Sequence, residues 1–363
     1  MSVSVEIKKS FGDFALDVSF EAENEVVGLL GASGCGKSMT LKCIAGIVRP
    51  DSGRIVVDGV TLFDSNKRIN LSPQKRRTGL LFQNYALFPN MTVGQNIMSV
   101  LRLQTKKNLK ERLSSLLGKF YIQGLEDRYP SQLSGGQQQR AALARIMASR
   151  PSALMLDEPL SALDSYLRWQ LEGELLQILD EFEGTTFYVS HNRDEVYRLC
   201  KSVCIMNQGR NESLRAIEDL FESPKTLSSS ILSGCKNYSN AKRLSQNTVL
   251  ATDWRVSLTC ASEAHGDFDC IGVRSHNVLL CDEKAAGGDN VFPCRVIRVI
   301  QDVFSTIVNL QPLNAENGDG DFSRIRAEFP KIPKQEGIFE NEFENGSVVL
   351  VKIRPEDIML LKK

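Results

Sequence analysis

Short runs of consecutive apolar residues alternate with helical patterns along the first two-thirds of the chain. The clearest runs are residues 26–30, 153–156 and 185–189, and each is apolar, aromatic or β-branched at successive positions. Strands that are buried on both faces have this pattern, which is typical of a largely parallel sheet covered by helices. The pattern therefore predicts an α/β fold for this part of the chain.

The pattern changes twice further along. Between about residues 84 and 150, Leu, Gln, Lys, Arg and Ala dominate, which predicts a helical insertion into the α/β domain. From about residue 228, Ser and Gly become frequent, and short β-like segments separated by Gly, Asn and Asp follow. There, residues 273–280 resemble residues 353–360, which indicates a β domain of two related halves. We predict two domains, at residues 1–232 and 233–363.

The charge and the cysteines narrow the class of protein. The 44 basic and 44 acidic residues give a formal net charge of zero, which argues against affinity gained by neutralising nucleic-acid phosphates. No apolar run approaches the about 20 residues of a membrane-spanning helix, and the N-terminus lacks the apolar core of a signal peptide. Nine cysteines without a C-x-x-C pair indicate a reducing compartment. We expect a soluble intracellular chain.

A phosphate-binding motif directly follows the first apolar run. Residues 31–38, GASGCGKS, satisfy G-x-x-x-x-G-K-[ST], and a helical stretch comes next. The glycines let backbone N–H groups curl around phosphate oxygens, Lys37 can reach the terminal phosphates, and the Ser38 hydroxyl can bind Mg²⁺. The candidate nucleotide-binding residues of this segment are Gly31, Ser33, Gly34, Cys35, Gly36, Lys37, Ser38 and Met39.

Two carboxylates follow the second apolar run. Asp157 and Glu158 come directly after residues 153–156. One carboxylate can serve a metal ion while the other polarises an attacking water, so the pair predicts hydrolysis of a nucleoside triphosphate.

A second candidate anion site lies at residues 133–137, LSGGQ. Ser134 is a preferred N-cap, and a helix-forming run follows it. Exposed N–H groups at a helix start attract anions. A single P-loop domain has no obvious use for a second such site, whereas two copies facing head to tail could each close the nucleotide of the other. The candidates here are Ser134, Gly135, Gly136 and Gln137.

In this order and spacing, the motifs resemble those of the ATP-binding cassette (ABC) family across roughly residues 1–232. Gln83 stands at the place of the family's Q-loop glutamine, residues 161–164 match its D-loop, and His191 matches its switch histidine. The resemblance implies a P-loop NTPase core with a helical insertion, and ATP and Mg²⁺ as cofactors.

The resemblance also implies roles for the catalytic and metal-binding residues. Glu158 would be the general base, and His191 would contact the γ-phosphate. Gln83 would sense Mg²⁺ and the attacking water, while Asp157 and Ser38 would hold the metal.

The remaining nucleotide contacts are implied in the same way. Ser134 and Gly136 would contact the ATP of a second copy, and Asp164 would lie at the dimer seam. Phe11 occupies the place of the aromatic residue that stacks on adenine, with Phe14 as the alternative. Asn192 stands where an acidic residue is frequent in the family.

Three classes of function are compatible with one cassette. The first is the ATPase subunit of a membrane importer, the second a soluble ABC protein acting on ribosomes or DNA, and the third a ligand sensor centred on the C-terminal domain. The second is disfavoured because the chain has one P-loop, and about one hundred residues without heptads separate Lys37 from Ser134. The third is disfavoured because the C-terminal part has no recognisable ligand site.

An importer subunit of this kind takes its pore from a transmembrane permease. Residues 84–93 resemble the stretch of the family that receives a permease helix, a helix-in-groove contact. The expected partners are a second copy in a homodimer, permease subunits and, indirectly, an extracytoplasmic solute-binding protein, but no nucleic acid. The chain would lie at the cytoplasmic face of the cell membrane.

The C-terminal residues resemble the small OB-like (TOBE/MOP-type) regulatory domain of importer ATPases. Segments 188–199, 233–237 and 271–274 are most similar to molybdate/tungstate importer ATPases, so we predict uptake of molybdate or tungstate. Importers of sulfate, iron, polyamines or sugars are the alternative. An oxyanion could also bind the C-terminal domain, where the available side chains are Arg295, Ser305, Thr306 and Lys352.

Overall fold

The computed structural model describes residues 2–104, 108–161, 165–261, 267–281, 287–315, 323–331 and 344–363. The chain forms two compact units, Met1–Glu218 and Asp219–Lys363. Within the described ranges, no helix has both the length and the apolar character needed to cross a membrane.

The first unit alternates strands and helices and leads into a helix, α7, that spans the division between the units. Its elements are β1 (Ser2–Phe11), β2 (Phe14–Glu23), β3 (Val26–Gly31), α1 (Lys37–Ala45), β4 (Ser52–Val57), β5 (Val60–Asp64), β6 (Ile69–Asn70), β7 (Thr78–Leu81), α2 (Val93–Gln104), α3 (Leu109–Lys119), α4 (Gly135–Ala148), β8 (Ala153–Asp157), α5 (Ser165–Asp180), β9 (Thr185–Val189), α6 (Arg193–Leu199), β10 (Ser202–Asn207), β11 (Arg210–Asn211), β12 (Arg215–Ala216) and α7 (Ile217–Glu222).

The sheet of the first unit is mixed rather than largely parallel. Its strand order is β6-β5-β4-β1-β2-β11-β10-β3-β9-β8-β7, and β12 pairs with β10. The neighbours from β10 to β7 pair in parallel, whereas β1, β2, β4, β5 and β6 form an antiparallel extension. The expectation of a largely parallel sheet therefore holds only for the five strands from β10 to β7. The reason is visible in β1 and β2, whose side chains are buried at alternate positions, as in a sheet with one covered face.

The three apolar runs form adjacent central strands. β8 and β9 are buried at every position, and β3 is buried at all positions but its first. Side chains of α1, including Leu41 and Ile44, complete the core formed by these strands and by the antiparallel extension. Burial on both faces explains why these strands lack a polar alternate position.

Residues 84–150 carry α2, α3 and α4 and, within their described part, no strand. α2 buries Ile97 and Leu101, which are one helical turn apart. Ile97 and Leu101 therefore belong to an apolar stripe of α2 that packs inward.

The described part of the second unit continues from α7 with α8 and ten strands. They are α8 (Leu227–Leu232), β13 (Asn237–Arg243), β14 (Thr248–Ala251), β15 (Val256–Thr259), β16 (Cys270–Val273), β17 (Val278–Cys281), β18 (Val291–Gln301), β19 (Ser305–Pro312), β20 (Ile325–Pro330), β21 (Val348–Ile353) and β22 (Met359–Leu361). Two five-stranded sheets, β15-β14-β13-β16-β22 and β17-β21-β18-β19-β20, share one hydrophobic core that contains the fully buried Trp254.

The internal repeat corresponds to two strand–turn–strand segments that pair with each other. Each copy consists of a strand, a single 3₁₀ turn and a second strand, β16 to β17 in one copy and β21 to β22 in the other. β16 pairs antiparallel with β22, and β17 pairs antiparallel with β21. Both copies therefore pass from one sheet to the other, in opposite directions.

Candidate nucleotide-binding site

The candidate residues follow the carboxyl ends of adjacent parallel strands. The glycine-rich loop begins at Gly31, the last residue of β3, and Asp157 is the last residue of β8, with Glu158 directly after it. His191 and Gln83 each lie two residues beyond the ends of β9 and β7. Because parallel strands end at the same edge of a sheet, these segments lie side by side, which is where open α/β sheets bind ligands. The strand order β3-β9-β8-β7 therefore assembles the site.

The glycine-rich loop is shaped by close packing at both of its ends. A Cβ on Gly31 would lie 2.3 Å from the Met206 carbonyl oxygen, and a Cβ on Gly36 would lie 2.7 Å from Leu16. Gly36 also has a φ of 109°, a left-handed conformation that L side chains rarely adopt, and it is the N-cap of α1. Between these anchors, Ser33 and Gly34 are exposed and Cys35 is buried.

Lys37 lies inside this loop. Its side chain is buried, and Nζ donates hydrogen bonds to the carbonyl oxygens of Gly31 at 2.7 Å and Ala32 at 3.0 Å. These bonds hold the ammonium at the loop that would surround phosphates. Lys37 is also the first residue of α1, so the start of the helix fixes its backbone beside the loop.

Ser38 and Asp157 form the candidate metal pair. The Ser38 hydroxyl donates a hydrogen bond of 2.7 Å to Asp157 Oδ1, joining α1 to the end of β8. Burial raises the pKa of the Asp157 carboxyl, and the bond from Ser38 only partly offsets that rise. A buried carboxylate beside a hydroxyl is a fitting oxygen-donor set for Mg²⁺, whose charge would favour the ionised form.

Replacing Asp157 with Asn should stabilise the nucleotide-free protein. A raised pKa means that folding opposes ionisation at neutral pH, so this carboxylate's contribution to stability improves only as the pH falls through its folded pKa. We expect Asp157→Asn to raise the thermal midpoint at pH 7.5 by about 2–4 °C and to lose the extra stabilisation that Mg²⁺ adds to ATP. Calorimetry with and without Mg²⁺ measures both, and Asp13→Asn, an exposed position, serves as the control. An unchanged or lower midpoint would contradict the expectation.

Gln83, Glu158 and His191 meet at one carboxylate. Gln83 Nε2 lies 3.5 Å from Glu158 Oε2, and His191 Nδ1 lies 3.6 Å from Glu158 Oε1. Glu158 has a φ of 49°, a strained left-handed value for this residue type, while its N–H donates to Val189 O at 3.0 Å. The backbone therefore leaves the β conformation directly after β8. The Glu158 carboxylate lies between the segments that follow β7 and β9.

The segment 133–137 starts α4 with a capping box. Ser134 Oγ accepts a hydrogen bond from the Gln137 N–H, and Gln137 Oε1 accepts one from the Ser134 N–H. A Cβ on Gly136 would lie 2.8 Å from Leu171 of α5, while Gly135 is half-buried. Within the described part of the chain, no hydrogen bond joins residues 133–137 to the loop 31–38. Within one copy, these two candidate anion sites are therefore not linked by a hydrogen bond.

The two aromatic candidates lie near each other, and one of them packs against the loop. The rings of Phe11 and Phe14 have centroids 6.3 Å apart, and Lys9 Nζ lies 5.6 Å from the Phe11 centroid. Phe14 Cζ would be 3.2 Å from a Cβ on Gly36, so Phe14 is packed against the loop. Met39 is half-buried and packs against the same core. Asp164 falls outside the described residues.

A buried side chain that the sequence analysis missed organises the segment after Gln83. Asn96 donates through Nδ2 to the carbonyl oxygens of Phe88, Met91 and Thr92 and accepts the Phe88 N–H at 2.9 Å. The Arg145 guanidinium lies 5.1 Å from the Phe88 ring centroid. As a result, Phe88 and Met91 are held 48% and 38% exposed. An isolated Asn within a helix has no recognisable motif, so only the contacts reveal this role.

The four side chains offered for an oxyanion in the second unit do not form one site. Thr306 is paired with Gln301 at one end of the β18–β19 hairpin, and Arg295 is opposite Gln311. Thr306 and Gln311 are five positions apart along β19, about 17 Å at 3.4 Å per residue. Ser305 donates to the Glu328 carboxylate, which would repel an anion.

Comparison with known proteins supplies the family context. The profile of the ABC transporter family matches residues 16–161. A sulfate/thiosulfate import ATP-binding protein of Synechococcus elongatus is 41% identical over 226 residues, which are 61% of this chain and 64% of that protein. The putrescine transport ATP-binding protein of Escherichia coli is 35% identical over 76% of this chain and 74% of its own length. A sulfate/thiosulfate import ATP-binding protein of Chromobacterium violaceum is 34% identical over 83% of each chain.

Two solved structures are similar in fold. An ATP-binding cassette whose dimer was determined in a post-hydrolysis state with ADP and Pi matches with a TM-score of 0.51 and 25% identity, over 60% of this chain and 99% of that one. The protein cbiO1 from Clostridium perfringens, part of an ABC transporter complex, matches with a TM-score of 0.51 and 27% identity, over 60% of this chain and 90% of that one. These structures share the α/β fold with a mixed sheet described above.

Proposed function

Because this chain belongs to the ATP-binding proteins of ABC transporters, we propose that it is the ATP-hydrolysing subunit of an ABC importer. One observation carries the proposal: Gln83, Glu158 and His191 meet within 3.6 Å at the sheet edge where Asp157 also accepts a hydrogen bond from Ser38 of α1. A phosphate loop, a metal pair and a base at one edge of a sheet are the parts that phosphoryl transfer to water requires.

Each part of the site has a separate role in the proposed hydrolysis. The loop 31–38 binds the β- and γ-phosphates through its N–H groups, and Lys37 adds a positive charge there. Glu158 accepts a proton from the attacking water, while Gln83 and His191 flank its carboxylate and orient that water and the γ-phosphate. Mg²⁺, when bound, neutralises phosphate charge, and Ser38 and Asp157 would hold it. Phe11 stacks on adenine in this proposal.

The segment 133–137 needs a second copy for its proposed role. Ser134, Gly135, Gly136 and Gln137 present a capped helix start that makes no hydrogen bond to the loop 31–38 of its own copy. We therefore propose a head-to-tail homodimer in which this segment of one copy closes on the ATP of the other, with Asp164 at the seam. ATP binding would close the dimer and hydrolysis would reopen it.

The permease contact is proposed for residues 84–93. Phe88 and Met91 are exposed on a segment that Asn96 and Arg145 hold in place, and this segment directly follows Gln83. A permease helix could bury these apolar side chains, which would place the subunit at the cytoplasmic face of the membrane. The domain bounds of 1–232 and 233–363 and the OB-like, regulatory character of the β domain belong to the same proposal.

For the solute, the relatives favour the alternative over molybdate or tungstate. Two of the relatives described above are named for sulfate and thiosulfate import and one for putrescine transport. We propose sulfate or thiosulfate as the solute, with putrescine as the second candidate because that relative aligns over 74% of its length. The segments that resemble molybdate importers lie partly in the ATPase, which binds nucleotide rather than solute, so they are a weak guide to the solute.

Uptake in whole cells tests the proposal. Cells that lack the gene are complemented with the wild-type chain or with the Glu158→Gln variant, and uptake of radiolabelled sulfate, putrescine and molybdate is measured. The proposal is supported if the wild-type chain restores sulfate uptake and Glu158→Gln does not. If putrescine is the one solute whose uptake is restored, the second candidate replaces sulfate. Restoration of molybdate uptake alone, or of no uptake, would contradict the proposed solutes.

A further inference from the structure

A buried carboxylate holds the turn that carries His191. Glu195 lies in the first turn of α6 and is only 4% exposed. Its Oε2 accepts hydrogen bonds from the hydroxyl groups of Tyr188 at 3.0 Å and Ser190 at 2.8 Å, and its Oε1 accepts one from Asn192 Nδ2 at 3.3 Å. Glu195 therefore contacts both sequence neighbours of His191.

The backbone N–H and the side chain of Asn192 make further hydrogen bonds within this turn. The Asn192 N–H donates to Ser190 Oγ at 2.9 Å. Asn192 Oδ1 accepts the N–H groups of Asp194 and Glu195 and so caps α6. Asn in place of an acidic residue thus keeps the capping oxygen. The backbone on either side of His191 is tied to one carboxylate and to one helix start.

The same carboxylate reaches a second helix. Arg168 Nε of α5 lies 3.8 Å from Glu195 Oε1. A buried carboxylate needs an opposite charge and hydrogen bonds to offset its lost hydration, and Arg168 together with the three neutral donors supplies both. The position of His191 is thereby coupled to α5.

His191 itself has few restraints of its own. Its side chain is 60% exposed, and its Nδ1 lies 3.6 Å from Glu158 Oε1. An exposed imidazole whose backbone was free to move would spend little time at that distance, because ordering it costs conformational entropy. The rigidity has to come from the turn, and Glu195 is the group on which the bonds of the turn converge.

We propose that Glu195 is a positioning residue for ATP hydrolysis, which holds His191 at the carboxylate of Glu158 and ties it to α5. The inference rests on the proposed ATPase function. The sequence analysis missed this residue because an acidic side chain in the first turn of a helix is ordinary, and only the fold places it under His191.

Glu195→Gln tests the role, with Glu172→Gln as its matched control. Glu172 is also a buried carboxylate between α5 and α6, at 8% exposure, but it pairs with Arg198 through two hydrogen bonds. In Glu195→Gln one acceptor oxygen becomes an NH₂ group, which cannot accept the hydrogen bonds that this oxygen receives from Tyr188 and Ser190 or from Asn192. We expect kcat to fall about 10- to 100-fold, with the KM for ATP changed less than about twofold, because a displacement of about 1 Å can cost that much. Glu172→Gln should keep its kcat.

The histidine NMR spectrum supplies a readout that a merely structural role would not move. The chain has three histidines, so the His191 signals can be assigned by their loss in His191→Ala. In Glu195→Gln the His191 signals should shift or broaden, while those of Glu172→Gln match the wild type. Thermal unfolding of both variants confirms that they are folded.

The outcomes separate this inference from the proposed function. If the wild-type chain does not hydrolyse ATP, the proposed function itself fails. If the wild type hydrolyses ATP and Glu195→Gln keeps its kcat and its His191 signals, the positioning role alone is wrong. An equal loss of kcat in Glu195→Gln and Glu172→Gln also overturns it, because the effect would then belong to the packing of α5 on α6.

Discussion

Replacing Glu158 with Gln should reduce steady-state ATP hydrolysis by about 100- to 10,000-fold, the range that a general base contributes. The amide of Gln occupies nearly the same volume but cannot accept a proton from water. A Gln side chain can turn its amide oxygen toward Gln83 Nε2, which lies 3.5 Å from Glu158 Oε2, so the geometry of the site should survive the change. ATP binding should therefore stay within about threefold of wild type, since neither the loop nor the metal pair is touched.

The same variant should accumulate as a closed dimer with ATP. If hydrolysis is the step that reopens the dimer, a variant without the base cannot leave the closed state by hydrolysis. Light scattering with and without Mg²⁺-ATP measures the dimer, and phosphate release measures turnover. Glu181→Gln removes the same charge at a largely exposed position that pairs with Lys119, and it should behave as wild type. Normal turnover in Glu158→Gln would show that another group is the base.

Removing the amino group of Lys37 should weaken ATP binding by about 100-fold or more. A hydrogen bond from an ammonium to a phosphate is worth about 1.5–3 kcal/mol, and the charge on both partners makes it stronger than a neutral hydrogen bond. Lys37 is only 6% exposed, so its apolar stem is also part of the packing. For that reason Lys37→Met, which keeps the stem, is the sharper variant, and Lys37→Ala serves as its companion.

Calorimetric titration with ATP and Mg²⁺ measures the loss. The bonds from Lys37 to the carbonyl oxygens of Gly31 and Ala32 are lost in both variants, so thermal unfolding without nucleotide must be compared as well. Lys67→Ala, at an exposed position, should leave ATP affinity unchanged. Wild-type affinity in a folded Lys37→Met protein would contradict the assignment of the phosphate loop.

Several features of the site could be predicted because they depend on contiguous residues. The glycines, Lys37 and Ser38 form one segment whose conformation follows from the lack of Cβ atoms and the start of a helix. The capping box at Ser134 and Gln137 is equally local. Where a short segment contains both the chemistry and the backbone geometry, periodicity and residue type suffice.

Other features could not be predicted because they depend on partners far apart in the chain. The antiparallel extension was missed, since a half-buried strand such as β1 has its face covered by elements that the local pattern does not name. The antiparallel pairing of the two repeat copies also has no local signal, although the repeat itself was visible. The roles of Asn96 and Glu195 were missed for a different reason. Their hydrogen-bond partners lie nearby in the sequence, but neither residue belongs to a recognisable motif, so only the contacts in the folded chain reveal these roles.

The sequence by itself determined the chemistry that the chain can offer: a phosphate loop, two carboxylates after a buried strand and a capped helix start. The tertiary structure alone decided how these groups meet. Gln83 and Glu158 are 75 residues apart, and their side chains come within 3.5 Å because β7 and β8 are neighbours in the sheet. The physical reason is that residue type sets local conformation and donor chemistry, whereas strand order and the burial of groups such as Asp157 and Glu195 follow from packing of the whole core.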